Sequence, residues 1–252
     1  MEDYKAWIPS EYLAQYYATG TVAEDERGIL RFITDFLKNK NIKISEMLEV
    51  GCGPTIHHAI PFVPYVDRLY MADYLESNLL EIKKVIDLSE DAHDWTPYLS
   101  GILNLEGNNH PPAGSERLQA FRAKIAGFLP CNVLYEHPLG RMTKLFSLVT
   151  SFYCLECVSN SKEQWHKAMA NVARLVAPSG WMILSALRSA DKYLVCGKEF
   201  PATSIDEGDM RQSLIDAGFV PKTIIVEVCP CEWAEEGFDS IIVCSAQKET
   251  NS

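Results

Sequence analysis

From Ile44 onward the chain alternates short apolar runs with amphipathic helical segments, and the first run stops at the glycine loop LEVGCGPTIHH, residues 48–58. That alternation leaves few folds open. Parallel strands need long crossovers, usually helical, so such a chain builds α/β layers around a mostly parallel sheet. The strand runs are Ile44 to Val50, Arg68 to Asp73, the neighbourhood of Cys131-Asn132-Val133, Leu145 to Tyr153, Trp181 to Leu187 after the turn Pro178-Ser179-Gly180, and finally TIIVEV and SIIVCSA. The last two are joined by CPCEWAEEGFD. This is too short for a crossover, so one of them is antiparallel. The expectation is a Rossmann-like sheet of seven strands whose last hairpin is antiparallel.

Helical spacing predicts a helical segment from Tyr4 to about Lys40, with Ile29, Leu30, Ile33, Phe36 and Leu37 on one face. Pro54 to Ile60 can start a helix, with the proline in its first turn. LESNLLEIKKVIDL, GSERLQAFRAKIAGFL and KEQWHKAMANVARLVA read as helices, and so does Asp206 to Ala217, closed by Gly218. Residues 89–130 are polar and read as an excursion from the sheet. The whole, 1–252, is expected to be one domain: a helical lid over 1–43 and an α/β core over 44–252.

Composition removes several classes. The net charge is -11, and no Lys/Arg-rich run occurs, so nucleic acid is excluded as a partner. No apolar run reaches the roughly 20 residues of a membrane span, and MEDYKAWIPSEY is not a secretory signal. A cytoplasmic protein, monomeric or weakly dimeric, is expected. Its eight cysteines then read as thiols, not as disulfides. Cys154-Leu-Glu-Cys157 and Cys229-Pro-Cys231 could together hold zinc, but both adjoin apolar runs where cysteine behaves as a small hydrophobe. No metal site is expected. His57-His58 reads as a helix face, because adjacent side chains on a helix diverge.

Three readings compete for the glycine loop. A phosphate-binding P-loop needs a Lys after its last glycine, and none follows. A dinucleotide loop wants a third glycine, where this chain has Ile56. S-adenosylmethionine carries no phosphates. It needs close backbone approach, which Gly51 and Gly53 allow, and a carboxylate for its ribose hydroxyls, which Asp73 at the end of the second strand offers. The bland alternative is a tight turn beside an exposed Asp.

The segments EYLAQYY (11–17), GCGPTIHH (51–58), ADYLESN (72–78), HDWTPYLSGILNLEGN (93–108), SFYCLECVS (151–159), PSGWMILSAL (178–187) and EEGFDSIIV (235–243) resemble the class I methyltransferases that act on nicotinamide, phenylethanolamine, indolethylamine and thioethers. The resemblance spans nearly the whole chain, and its middle piece is the most specific. It implies S-adenosylmethionine as cofactor and S-adenosylhomocysteine as product. Tyr12 and Tyr17 fall on lid tyrosines. Gly51, Gly53 and Thr55 fall on the loop under the methionine part, Asp73 and Asn78 fall on the ribose and carboxylate contacts, and Cys52 and Tyr74 are placed with the cofactor site. Asn132-Val133 falls on an Asp-Val pair that holds adenine, and Ser151 is placed with the cofactor site. The change to Asn keeps a carbonyl acceptor for the adenine amine. His57 stands where relatives often have Tyr, and Phe152 where they have a small residue.

Methyl transfer to an amine needs a neutral nucleophile, so a carboxylate near the acceptor is expected. Candidates are Glu156 after the fourth strand, Asp191 after the fifth, and Glu235 in the late turn, with Tyr16, Phe152 and Tyr193 as substrate contacts. Converging acids favour a basic acceptor: a small amine, a guanidine or a nitrogen heterocycle. A thiol or thioether acceptor is the nearest alternative, followed by a cofactor-binding protein without catalysis.

Overall fold

The computed structural model describes residues 3–18, 20–40, 42–108, 110, 112–231, 237–238 and 240–250. Its helices are α1 (Pro9–Tyr16), α2 (Glu24–Lys40), α3 (Glu76–Ile86), α4 (Thr96–Glu106), α5 (Ala113–Lys124), α6 (Lys162–Ala173) and α7 (Glu207–Asp216). Its strands are β1 (Ile44–Val50), β2 (Val66–Asp73), β3 (Ile125–Pro130), β4 (Phe146–Phe152), β5 (Val176–Leu187), β6 (Lys192–Val195), β7 (Lys198–Pro201), β8 (Ile225–Pro230) and β9 (Ser240–Gln247).

Seven strands form one sheet in the order β3-β2-β1-β4-β5-β9-β8. β1 pairs in parallel with both β2 and β4, and β9 runs antiparallel between β5 and β8. The expected seven-strand Rossmann-like sheet, with its closing antiparallel hairpin, is therefore present. Strand order reverses at β1/β4, so a crevice opens at the carboxyl ends of those two strands. The glycine loop leaves β1 into that crevice.

Side chains alternate across each strand. On β1, Met47 joins the core packed by α2, α3 and α4, whereas Leu48 and Val50 join the opposite core with Trp165, Met169 and Leu214 of α6 and α7. Glu49 shares the face of Met47, which turns its carboxyl toward the crevice. Trp165 is wholly buried core. Among the described residues no helix is long and apolar enough to cross a membrane.

Three expectations are corrected, and one hairpin is added. The N-terminal segment is not one helix. It breaks after Tyr16, passes Gly20 at φ +71°, and restarts at Glu24. The new start places Glu24, Asp25 and Glu26 in a first turn, where the helix dipole favours acids. Residues 54–59 are turns, followed by one short 3-10 turn at Ile60–Phe62. The Thr55 hydroxyl donates back to the Cys52 carbonyl, and the left-handed Gly53 bends the chain before a helix can begin. The third strand is Ile125–Pro130, not 131–133. Its residues leave the helical pattern to pair with the edge of β2. Finally, the β6–β7 hairpin was not anticipated; its four-residue strands are too short to read as a period.

Candidate active site

Gly51 and Gly53 both adopt left-handed backbone, φ +65° and +57°. A Cβ at Gly51 would lie 2.1 Å from Cys154 Sγ, so this position is closed to any side chain. A Cβ at Gly53 would meet nothing within 4 Å, because it would project into open space.

Asp73 ends β2 and is almost fully buried. The Gly53 N–H donates to its Oδ2 at 2.8 Å. The Leu75 N–H and the Asn78 side-chain amide donate to its Oδ1 at 2.8 and 3.1 Å. Burial pushes this carboxyl up, and these donors pull it back. The Tyr74 N–H adds to the same pull, so this acid is an acceptor fixed in place beside the glycine turn. Asn78 Oδ1 accepts from Trp7 Nε1 at 2.9 Å, so the N-terminal segment is tied to the same acid.

Around this acid lies a cleft of about 830 Å³, open to solvent at its mouth. It is lined by Gly51, Cys52, Gly53, Thr55, Asp73, Tyr74 and Asn78 on one side, and by Tyr4, Trp7, Tyr12, Tyr17, Phe152, Tyr153 and Tyr193 on the other, with Glu49 and Val133 below. A second cavity of about 600 Å³ shares Trp7, Tyr12, Tyr17, Tyr153 and Tyr193 with it and continues past Tyr16 to Asp25 and Glu26. Among the described residues, neither lining includes a lysine or arginine.

The N-terminal aromatics interlock. Tyr4 donates to the Cys157 carbonyl at 2.7 Å and meets the Tyr193 hydroxyl at 3.0 Å. Tyr12 and Tyr17 share a 3.3 Å hydroxyl contact, and Tyr17 donates to Glu26 Oε1 at 3.1 Å. Tyr16 bonds to the Leu194 carbonyl.

At the far end, Asp25 Oδ2 accepts from the Tyr153 hydroxyl at 3.1 Å, while its Oδ1 is buried without a partner. Burial, and then the charge of Glu26, push Asp25 up to about 7. Glu26 Oε2 lies 3.0 Å from His57 Nε2 and 2.7 Å from His58 Nε2. Burial alone would raise Glu26, but the His58 and His57 rings outweigh it and hold it well below the usual carboxylate range. His57 is pushed down to about 4 by burial and by His58. His57 stacks on Trp95 and His58 on Phe152. The two rings do not diverge, because residues 57 and 58 lie in a turn, not on a helix, and both ring edges converge on one carboxylate oxygen.

Most residues expected at the site line it: Tyr12, Tyr17, Gly51, Cys52, Gly53, Thr55, Asp73, Tyr74, Asn78, Val133, Phe152 and Tyr193 line the cleft, and Tyr16 lines the second cavity. Four do not line either cavity. Asn132 closes a local turn, accepting from Leu134 N–H. Ser151 is buried beneath the strand end. Glu156 is fully buried and accepts from Leu187 N–H at 2.9 Å; burial pushes it up to about 7. Asp191 is exposed. Glu235 lies outside the described residues.

Sequence reasoning missed Tyr4, Trp7, Glu49, Asp25, Glu26 and Tyr153. Burial, then Glu26, push Glu49 well above its usual range. Its signal was visible: an acid inside the apolar run ISEMLEV, two residues before the first glycine.

The profile of the NNMT/PNMT/TEMT family matches residues 1–249. Indolethylamine N-methyltransferase of Oryctolagus cuniculus is 25% identical over 220 residues, covering 85% of this chain and 83% of its own. Nicotinamide N-methyltransferase of Homo sapiens is 25% identical over 219 residues, covering 84% and 81%. Among solved structures, the N-methyltransferase NodS from Bradyrhizobium japonicum WM9, in complex with S-adenosylhomocysteine, superposes with a TM-score of 0.58 over 98% of this chain and 99% of its own, at 14% identity. That last likeness speaks for the fold alone.

Proposed function

Since the chain belongs to the NNMT/PNMT/TEMT family of S-adenosylmethionine-dependent methyltransferases, we propose that it methylates a nitrogen of a small amine, guanidine or nitrogen heterocycle. The observation that carries this reading is a pair of adjoining cavities that share an aromatic wall. One holds the Gly51–Gly53 turn and Asp73, and the other holds two buried acids on α2.

The residues fit the cofactor. Gly53 leaves open space where a side chain would stand, and the Asp73 carboxyl lines the cleft where a ribose hydroxyl could donate to it. Among the described residues, the absence of lysine and arginine from the lining, and of a helix directly after the loop, suits a cationic ligand better than a pyrophosphate. S-adenosylmethionine, when bound, supplies an electrophilic methyl on a sulfonium. Gly51, Cys52, Gly53 and Thr55 would hold its methionine part, Asp73 and Asn78 its ribose, and Tyr74 and Val133 its adenine. Tyr12 and Tyr17 close over it, and the segment before residue 44 serves as a lid on a single domain.

The acceptor occupies the second cavity, against Tyr16, Tyr153 and Tyr193. Asp25 replaces Glu156 as its partner. Asp25 lines this cavity, and its carboxyl is raised to about 7, so it can hold a protonated amine and then take its proton. The ring of tyrosines excludes water from this step.

The test is calorimetric titration with S-adenosylmethionine, S-adenosylhomocysteine and NAD, followed by a screen of small amines with product detection by mass. Binding of the first two, and loss of about 100-fold or more in kcat for Asp25→Asn with unchanged S-adenosylhomocysteine affinity, is expected. Failure of both methionine-derived ligands to bind overturns the proposal.

A further inference from the structure

We propose that Glu26, His57 and His58 form a binding site for a divalent transition-metal ion at the wall where the two cavities meet. Glu26 Oε2 and the two imidazole Nε2 atoms all lie within 4.8 Å of one another, and all three residues are buried. The carboxylate oxygen is 3.0 and 2.7 Å from the two nitrogens. Ligands at about 2.1 Å from one ion stand about 3 Å apart when they are cis, so the carboxylate oxygen already stands near that spacing from each imidazole nitrogen.

The donor set is two imidazoles and one carboxylate. That set, with further positions left open, is the pattern of mononuclear non-haem iron(II) sites, and it suits cobalt(II) equally. It contains no thiolate. Cys52, Cys154 and Cys157, which line the cleft nearby, are all pushed well above their usual range by burial, so they stay protonated.

Two further observations point to a ligand here. Adjacent residues seldom aim both side chains at one atom, and these two do so only because the turn after Pro54 replaces a helix. Beside them, Asp25 lines the cavity that Glu26 also lines, and its Oδ1 is buried with no hydrogen-bond partner. The carboxylate is fixed by an outer contact as well: Tyr17 donates to Glu26 Oε1. Such supporting hydrogen bonds orient metal ligands.

His58 lines the first cavity and Glu26 the second. Resting on the proposed methyl transfer, the ion would take a heteroatom of the acceptor in an open position and so fix the neighbouring nitrogen for attack. Binding of the ion does not depend on that reading.

The experiment strips the full-length protein with a chelator and titrates it with cobalt(II), reading the visible d–d absorption and the stoichiometry. Glu26→Gln, His57→Gln and His58→Gln are titrated alongside, and S-adenosylhomocysteine binding and thermal melting report on each fold. The expected result is one cobalt(II) per chain in the native protein. Each variant that still melts cooperatively should lose affinity by more than the ~100-fold that a supporting contact can account for. Absence of a d–d band in native protein that binds S-adenosylhomocysteine overturns the metal site and leaves the methyltransferase reading intact. So does cobalt affinity unchanged in all three variants. Cobalt binding without S-adenosylhomocysteine binding keeps the metal site and removes the methyltransferase reading.

Discussion

The Gly53 N–H and the Asp73 carboxylate meet at 2.8 Å, so the turn that ends β1 and the acid that ends β2 are one hydrogen-bonded unit. Parallel pairing of Val50 with Ala72 sets that distance, because it brings the two strand ends level. Asp73→Asn turns an amide NH2 toward at least one of three N–H donors and leaves a buried group unpaired, at about 1–3 kcal/mol. S-adenosylhomocysteine affinity should fall about tenfold or more, measured by calorimetry. Unchanged affinity would remove Asp73 from the ribose.

Gly51 is closed for a different reason. Its φ of +65° costs any other residue about 1–2 kcal/mol, and a Cβ would strike Cys154 Sγ and Cβ at 2.1 and 2.6 Å. Overpacking adds about 1–3 kcal/mol. Gly51→Ala should lower the melting temperature by several degrees. Gly51→Ala with Cys154→Ala should recover part of the loss but not all of it, since one carbon clash and the backbone strain remain. Full recovery would show that the backbone is unstrained.

The fold was legible because its signal is repeated: seven apolar runs at strand length, and helices such as α3 with a clear apolar stripe at Leu79, Ile82 and Val85. Where signals conflict, reading fails. Ile125 and Leu129 continue the helical spacing of α5, but the open edge of β2 captures them. The cofactor half of the site was legible because it is local: Gly51, Gly53 and Asp73 sit on consecutive strand ends. The acceptor half was not. Asp25 lies 128 residues from Tyr153, and nothing in the text of either segment links them. Glu156 was misplaced for the same reason. Its position after β4 is right for a site acid, but its carboxyl turns inward to the Leu187 N–H.

Trp7 tests whether the N-terminal segment closes over the cofactor. Its indole N–H bonds to Asn78 Oδ1 at 2.9 Å, and its ring packs on Tyr12 at 4.7 Å. Trp7→Phe keeps the packing and removes the bond, which is worth about 0.5–1.5 kcal/mol. Dissociation of S-adenosylhomocysteine should quicken about 3- to 10-fold in stopped flow, with association little changed. An unaltered off-rate would detach the segment from ligand retention.

Glu156 governs a pH dependence of stability. Burial raises its carboxyl from 4.5 to about 7 in the folded protein, so the fold binds this proton more tightly than the unfolded chain does. The stabilisation is complete below about pH 4.5, declines as pH rises, and is gone above about pH 7. There the buried charge costs on the order of 3 kcal/mol relative to its protonated form. Glu156→Gln keeps an oxygen for the Leu187 N–H and cannot ionise. The variant should match the native protein near pH 4.5 and melt several degrees higher at pH 8.5. Parallel melting curves across that range, with a constant offset, would show that Glu156 does not change its protonation on unfolding.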